Sequence, residues 1–407
     1  MRFPLMSMAI FLFSLGCVSS NRRESNGSEV KAEAVAIAPR KIELLPSGRP
    51  PQIVVLSIDG AGDQAMVQEL ITAAKPLDAR LTLFLSGVYF LTRETGKNYL
   101  PPRMAAGTSD IGFNYEGDGL TGAQYVGALI NKVIAARDIG FELGTHYNGH
   151  FCGKINNWND ADWQKELDEY FKLVNHSNDF VKHGNTKLTI TKSSLKGSRT
   201  PCLEGNKAVI RAFAKRNGFT YDASTTGSMT SWPRKIDGVW DFPLVSIPIW
   251  DAKTGSYSAG PVLSMDYNLY YWRNGGVTIT DQALLKAVEE SAYKSYLNYY
   301  KVNYHGTRAP VSIGTHTSKF HSGSYWRALL HFMKDVCSQP ETICATYEEL
   351  AKFMESNPNI AGGNWPKLPK NVIGLTDDVI EEAGAPKEEA TPGPTCPEGE
   401  HNEREVL

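Results

Sequence analysis

The pattern that most restricts this chain is an alternation of two periodicities between about residues 52 and 354. Short β-branched or apolar runs at 53–58, 81–85, 140–145 and 311–315 read as strands. Stretches at 64–74, 125–137, 161–174, 208–216, 280–304, 325–337 and 347–354 carry helical spacing. In the third of these, Trp163, Leu167, Tyr170, Phe171 and Val174 share one helix face. Strand–helix–strand repetition builds parallel sheet, because the chain must cross back over the sheet before it can pair in the same direction. This many units predict an α/β fold, a distorted parallel (β/α) barrel whose reactive side chains gather where strands end and loops begin.

Charge narrows the partners. Lys+Arg 42 against Asp+Glu 44 leave −2 overall, so neither a nucleic-acid surface nor a polybasic membrane surface is expected. Ten acidic residues against Lys387 and Arg404 from Thr376 onward make a local −8, which leaves the rest of the chain mildly basic. That Glu/Pro-rich end reads as a solvated tail.

At the other end, Arg2 and the apolar run 6–16 form a secretion signal, too short to span a membrane. Gly16-Cys17 is similar to a bacterial lipoprotein cleavage box, with Cys17 lipidated; plain cleavage after Val18-Ser19-Ser20 is the alternative. Either way the protein is expected to be exported, facing the periplasm or the cell exterior, with a lipid anchor as its sole membrane contact. The expected segments are 1–17 signal, 18–51 flexible tether, 52–357 barrel domain and 358–407 loose surface chain with the acidic tail. A monomer is expected. Export lets cysteines oxidise, and Cys337 and Cys344, with Pro340 turning the chain between them, are predicted to pair. Cys396 is left over in the tail.

Four segments carry chemistry. Ser57-Ile58-Asp59-Gly60 ends the first strand with a carboxylate on a glycine turn, placed for a metal, for a catalytic base, or for capping the helix that follows. His146 and His150, in Gly144-Thr145-His146-Tyr147-Asn148-Gly149-His150, are spaced so that two imidazoles can converge on one ion. Tyr147 after the first His excludes the zinc-protease arrangement, which needs Glu there. In Gly197-Ser198-Arg199-Thr200-Pro201-Cys202, Arg199 can anchor a carboxylate and the stiffened turn can aim a backbone N–H at an oxyanion. Gly314-Thr315-His316 puts a histidine at another strand end, a candidate proton donor.

In this order along a β/α chain, the four segments resemble the polysaccharide deacetylases of the NodB homology fold, over roughly residues 52–354. Gly218-Phe219-Thr220-Tyr221-Asp222-Ala223-Ser224 and Ala345-Thr346-Tyr347-Glu348-Glu349-Leu350 add to the likeness. The resemblance implies a hydrolase that removes acetyl groups from N-acetylated, or occasionally O-acetylated, glycans with a divalent metal, by default zinc for a His-rich site. Residue by residue, it makes His146 and His150 metal ligands, has Arg199 orient the base, and has the Cys202 N–H bind the oxyanion. His316 becomes the general acid, with Asp222 holding its ring. The family's first motif has two adjacent aspartates; here only Asp59 stands, followed by Gly60. Either Asp59 serves the metal and another group, Asp63, acts as base, or Asp59 is the base and the metal is held differently. The first alternative is favoured, because two imidazoles without a carboxylate make a poor site.

Where the family has an aromatic residue, this chain has Cys202, and Cys152 follows the second motif. If both loops line one barrel mouth, a Cys152–Cys202 disulfide staples them. Of the aromatics between motifs (Trp158, Trp163, Trp232, Trp240, Trp250, Tyr270, Tyr271, Trp272), most are expected in the core. The insertions 89–115 and 244–276 are the expected specificity elements. The rival reading is a glycan-binding lipoprotein without activity.

Overall fold

The structure, a computed structural model, describes residues 37–114, 117–258 and 260–362. The signal segment with Cys17, the first part of the tether and the acidic tail with Cys396 lie outside the described residues. Burial of all nine residues makes β1 (Gln52–Gly60) a central strand. After it come α1 (Gln64–Ala74), β2 (Thr82–Leu85), α2 (Gly122–Asp138), β3 (Glu142–Thr145), α3 (Asp160–Asn175), α4 (Ser177–Val181), β4 (Gly197–Ser198), α5 (Lys207–Arg216) and β5 (Tyr221–Asp222). Short strands follow: β6 (Thr226–Ser228), β7 (Arg234–Ile236), β8 (Val239–Asp241), β9 (Leu244–Ile247), β10 (Trp250–Asp251), β11 (Ser256–Tyr257) and β12 (Val262–Leu263). The last elements are α6 (Asp266–Asn274), α7 (Gln282–His305), β13 (Val311–His316), α8 (Phe320–Val336), β14 (Thr342–Ala345) and α9 (Tyr347–Ser356).

The main sheet runs β13-β1-β2-β3-β4-β5-β8-β7, with β14 also paired to β1. Its strands are parallel except β7, which turns back on β8. In a flat sheet, strands three places apart lie about 14 Å from each other. Here Arg199, one residue beyond β4, donates to Asp59 of β1 at 2.8 Å. The rings of Phe84 on β2 and Tyr221 on β5 meet with centroids 6.3 Å apart. The sheet is therefore curled into part of a barrel, with an inside and an outside.

Side-chain alternation sorts residues between those two faces. On β1, Val54, Leu56 and Ile58 join the core under the helices, while Ile53 and Val55 join the inner cluster with Phe84, Tyr221 and Tyr347. The next inward positions are Ser57 and Asp59, so the inside is apolar at its base and polar at the strands' C-terminal ends. Room inside is tight. A Cβ on Gly144 of β3 would sit 2.6 Å from the Phe84 ring, and one on Gly197 of β4 would run into the Tyr221 ring.

Residues that the sequence reading assigned to the end of the tether pack on this body. Ile42 is buried in the inner cluster, Arg40 pairs with Glu349, and Arg49 pairs with Glu341. The tether boundary at Pro51 is therefore corrected for residues 40–51: an apolar side chain and two arginines here have partners in the barrel. At the far end Ile360 is buried too, beyond the expected limit at 357. Cys337 pairs with Cys344, Cα atoms 5.5 Å apart, tying α8 to β14.

Candidate active site

β1, β3, β4 and β13 run parallel, so their C-terminal ends open on one side. By alternation, the inward residues there are Asp59, His146, Arg199 and His316. Asp59 and His316 are register partners on adjacent strands. The four segments singled out in the sequence thus meet in one layer.

Arg199 is fully buried, and each of its nitrogens has work. Nη1 donates to Ser57 Oγ and Asp59 Oδ1, both at 2.8 Å; Nη2 donates to Tyr347 Oη at 2.8 Å; Nε donates to the Ala223 carbonyl at 3.0 Å. Its guanidinium lies 4.8 Å from the Phe84 ring centre. The grip on Asp59 uses a single nitrogen rather than a two-pronged fork, because Tyr347 takes the other arm. Burial alone would raise the Asp59 carboxyl, but Arg199, with His146 and His316 beyond it, more than reverses this and holds it below its ordinary value.

His146 Nδ1 lies 2.8 Å from the Arg199 carbonyl. A carbonyl only accepts, so the proton sits on Nδ1 and Nε2 carries the lone pair. That Nε2 is buried with no hydrogen-bond partner among the described residues. Burial pushes the ring down to about 4, so it is neutral. His150 is next to it, ring centres 5.1 Å apart. An orphaned imidazole lone pair beside a second imidazole offers two nitrogen donors of the kind that zinc or a similar divalent ion takes. Asp59, His146 and His150 do not close into a compact trio, however. Among the described residues, the one group of three potential ligand atoms within 4.8 Å of one another is His150 with Cys152 and Cys202. Those two sulfurs are bonded to each other, Cα atoms 5.7 Å apart, which removes the thiolates a metal would need. The disulfide is the expected staple between the loops after β3 and β4.

His316 is held by a residue the sequence reading missed. Asp266, first residue of α6, accepts from His316 Nδ1 at 2.7 Å, from the His316 N–H at 3.0 Å and from Thr315 Oγ1 at 2.9 Å. This corrects Asp222 as the ring's partner. The reason is parity: Tyr221 and Ala223 both point into the inner cluster, so Asp222 points out, where Ser224 Oγ donates to it and Lys207 lies nearby. Ser224 in turn accepts the Thr200 N–H at 2.8 Å, so Asp222 braces the Arg199 turn from behind. Asp63 is placed differently from its proposed role as base. It is the N-cap of α1, its Oδ1 accepting the N–H groups of Ala65 and Met66 at 2.8 and 2.9 Å. Cys202 sits in the turn after Pro201 with φ +54°, half-buried at the rim.

Asp266 had a weak signal in the sequence: it lies in the insertion 244–276, a few residues after the apolar pair Val262-Leu263. Of the aromatics, Trp158, Trp163, Trp240 and Tyr270 are buried, while Trp272 is 42% exposed.

No protein-family model matches the chain, and no curated protein matches it. Solved structures do. The chain resembles the polysaccharide deacetylases. One similar structure, from Mycobacterium smegmatis and assigned as a polysaccharide deacetylase, has TM-score 0.46 and 13% identity, covering 82% of this chain and 98% of that one. A family 4 carbohydrate esterase from Streptomyces lividans, in complex with acetate, has TM-score 0.33 and 14% identity over 69% and 88%. A peptidoglycan deacetylase from Bacillus subtilis has TM-score 0.38 and 10% identity over 76% and 94%.

Proposed function

We propose that this chain is an exported hydrolase that removes acetyl groups from N-acetylated or O-acetylated glycans. The observation that carries the reading is the single inward layer in which an Arg-held carboxylate, an imidazole with an unpartnered lone pair and an Asp-held imidazole face one another. Hydrolysis of an amide needs a proton acceptor for the attacking water, charge stabilisation for the tetrahedral oxyanion and a proton for the leaving amine. Asp59, kept ionised by Arg199, accepts the water's proton. The Cys202 N–H faces the oxyanion. His316, its Nδ1–H held by Asp266, gives a proton from Nε2 to the departing nitrogen when the ring is doubly protonated. His146 and His150 would hold a divalent cation, zinc by donor type, and its Lewis acidity would supply the activation that the side chains lack. Asp59 is thereby read as the base, and Asp63 as a structural cap.

Purified protein is expected to release acetate from at least one acetylated glycan, to lose this in a chelator and to regain it with zinc; His146→Ala loses metal and turnover together. The second reading, a glycan-binding protein without activity, is favoured by one feature: Asp59 is tied to Arg199, and no carboxylate joins the two imidazoles in a compact ligand set. Saturable glycan binding with no acetate release and no bound metal establishes that reading instead. The lipid anchor at Cys17 is proposed on the sequence alone, and mass spectrometry of the membrane fraction tests it.

A further inference from the structure

After β3, five residues must turn two imidazoles toward each other, and the backbone does this at a cost. Tyr147 and His150 both adopt left-handed conformations, φ +61° and +54°, which disfavour a side chain with a Cβ. Something outside the loop has to hold it. Glu166, in the middle of α3 and 1% exposed, stands behind the turn. Its Oε1 accepts the Asn148 N–H at 3.1 Å. Asn148 Nδ2 donates back to the Glu166 carbonyl at 2.8 Å, so this residue grips the helix by both backbone and side chain. Tyr99 Oη, from the insertion 89–115, lies 2.8 Å from each carboxylate oxygen.

Consecutive N–H groups converging from a left-handed turn form a concavity suited to an anion. Here an internal carboxyl group takes that place. No cation pairs with Glu166 among its described contacts; the nearby Lys172 is spent on Glu169. Burying a carboxylate without a counter-charge is expensive, and a residue that merely filled space would be apolar or an amide.

We infer that Glu166 is a positioning residue for the His146–His150 pair, its carboxylate holding the Asn148 N–H, and with it the turn at Gly149, so that the loop presents both imidazoles to one side. The use of the pair in metal binding rests on the deacetylase reading; the hold on the loop does not. The experiment takes the full chain as wild type, Glu166→Ala, Glu166→Gln and Tyr99→Phe. It measures amide hydrogen exchange without metal, then zinc affinity against a chromophoric chelator. Glu166→Ala is expected to speed exchange at Asn148 and Gly149 by about tenfold or more, leaving β1 unchanged. It should weaken zinc binding by roughly 10–100-fold, as loss of a supporting contact does. Glu166→Gln keeps one acceptor in the same volume and recovers most of both effects. Unchanged exchange at the two amides overturns the inference, as does equal acceleration throughout the chain or identical behaviour of the alanine and glutamine variants. Should Glu166→Ala fail to fold, Tyr99→Phe decides: it removes a donor that fixes the carboxylate, and must speed the same two amides. A wild type that binds no zinc defeats the metal reading, while the exchange arm still judges Glu166.

Discussion

Asp266 and His316 come from elements fifty residues apart, and their pairing sets which nitrogen of the histidine carries a proton. Asp266→Asn keeps the shape but lets the ring turn over or take the other tautomer. On the proposed mechanism, acetate release should fall by about a thousandfold or more with KM little changed, as in other Asp–His pairs; a loss below tenfold would show that His316 is not the proton donor. Glu142 acts on stability instead. It lies inside β3, accepting from Thr82 Oγ1, Tyr221 Oη and the Glu348 N–H, and burial raises it to about 7. A raised carboxyl means that the folded chain holds its proton more tightly than the unfolded one. Its contribution is therefore full below about pH 4.5, declines as pH rises, and is gone above about pH 7. Glu166, raised to about 7 as well, adds in the same sense, whereas His146, lowered to about 4, opposes it below pH 6.5. The gap in unfolding free energy between wild type and Glu142→Gln should shift by about 3 kcal/mol between pH 4.5 and 7.5, and urea titrations at the two pH values measure it. An identical gap at both would rule out a proton on folded Glu142.

At the scale of elements, the loops after β3 and β4 each supply part of the site and are bound together by Cys152–Cys202. The sulfurs close a loop of 50 residues in sequence separation, for which the chain-entropy account gives about 4 kcal/mol. Cys152→Ser should lower Tm by several degrees and loosen the rim while the fold persists; an unchanged Tm would mean that the loops are fixed without the bond. Element existence was readable where periodicity was strong. The helix expected at 64–74 is α1, and those expected at 161–174 and 208–216 are α3 and α5 to within one residue at each end. Strands of two or three residues such as β4, β5 and β8 carry too few side chains for a period-two pattern, and only pairing with neighbours makes them strands. β14 was missed because it fills the half of β1 that β2 leaves open.

For the whole molecule, the curl decides most. It turns a row of parallel strands into an enclosure whose base is plugged by Ile42, Ile53, Val55, Tyr347 and Ile360. Ile42 lies before the first strand, in a segment whose composition suggests a tether. Ile42→Ala should cost about 2–4 kcal/mol by urea unfolding if the side chain is core, and nothing measurable if the segment is loose. Sequence alone determined the alternation of strands and helices, and so the parallel α/β class, because period and length are local properties. It also supplied Asp59, His146, Arg199 and His316, since unusual residues at strand ends stand out against apolar runs. Tertiary structure alone decided that Asp266 rather than Asp222 holds His316, that Asp63 is a cap, and that Glu166 stands behind the histidine loop. Each of those depends on which face of a strand a side chain takes and on which distant segment then packs against it, and neither is written in the local spacing of residues.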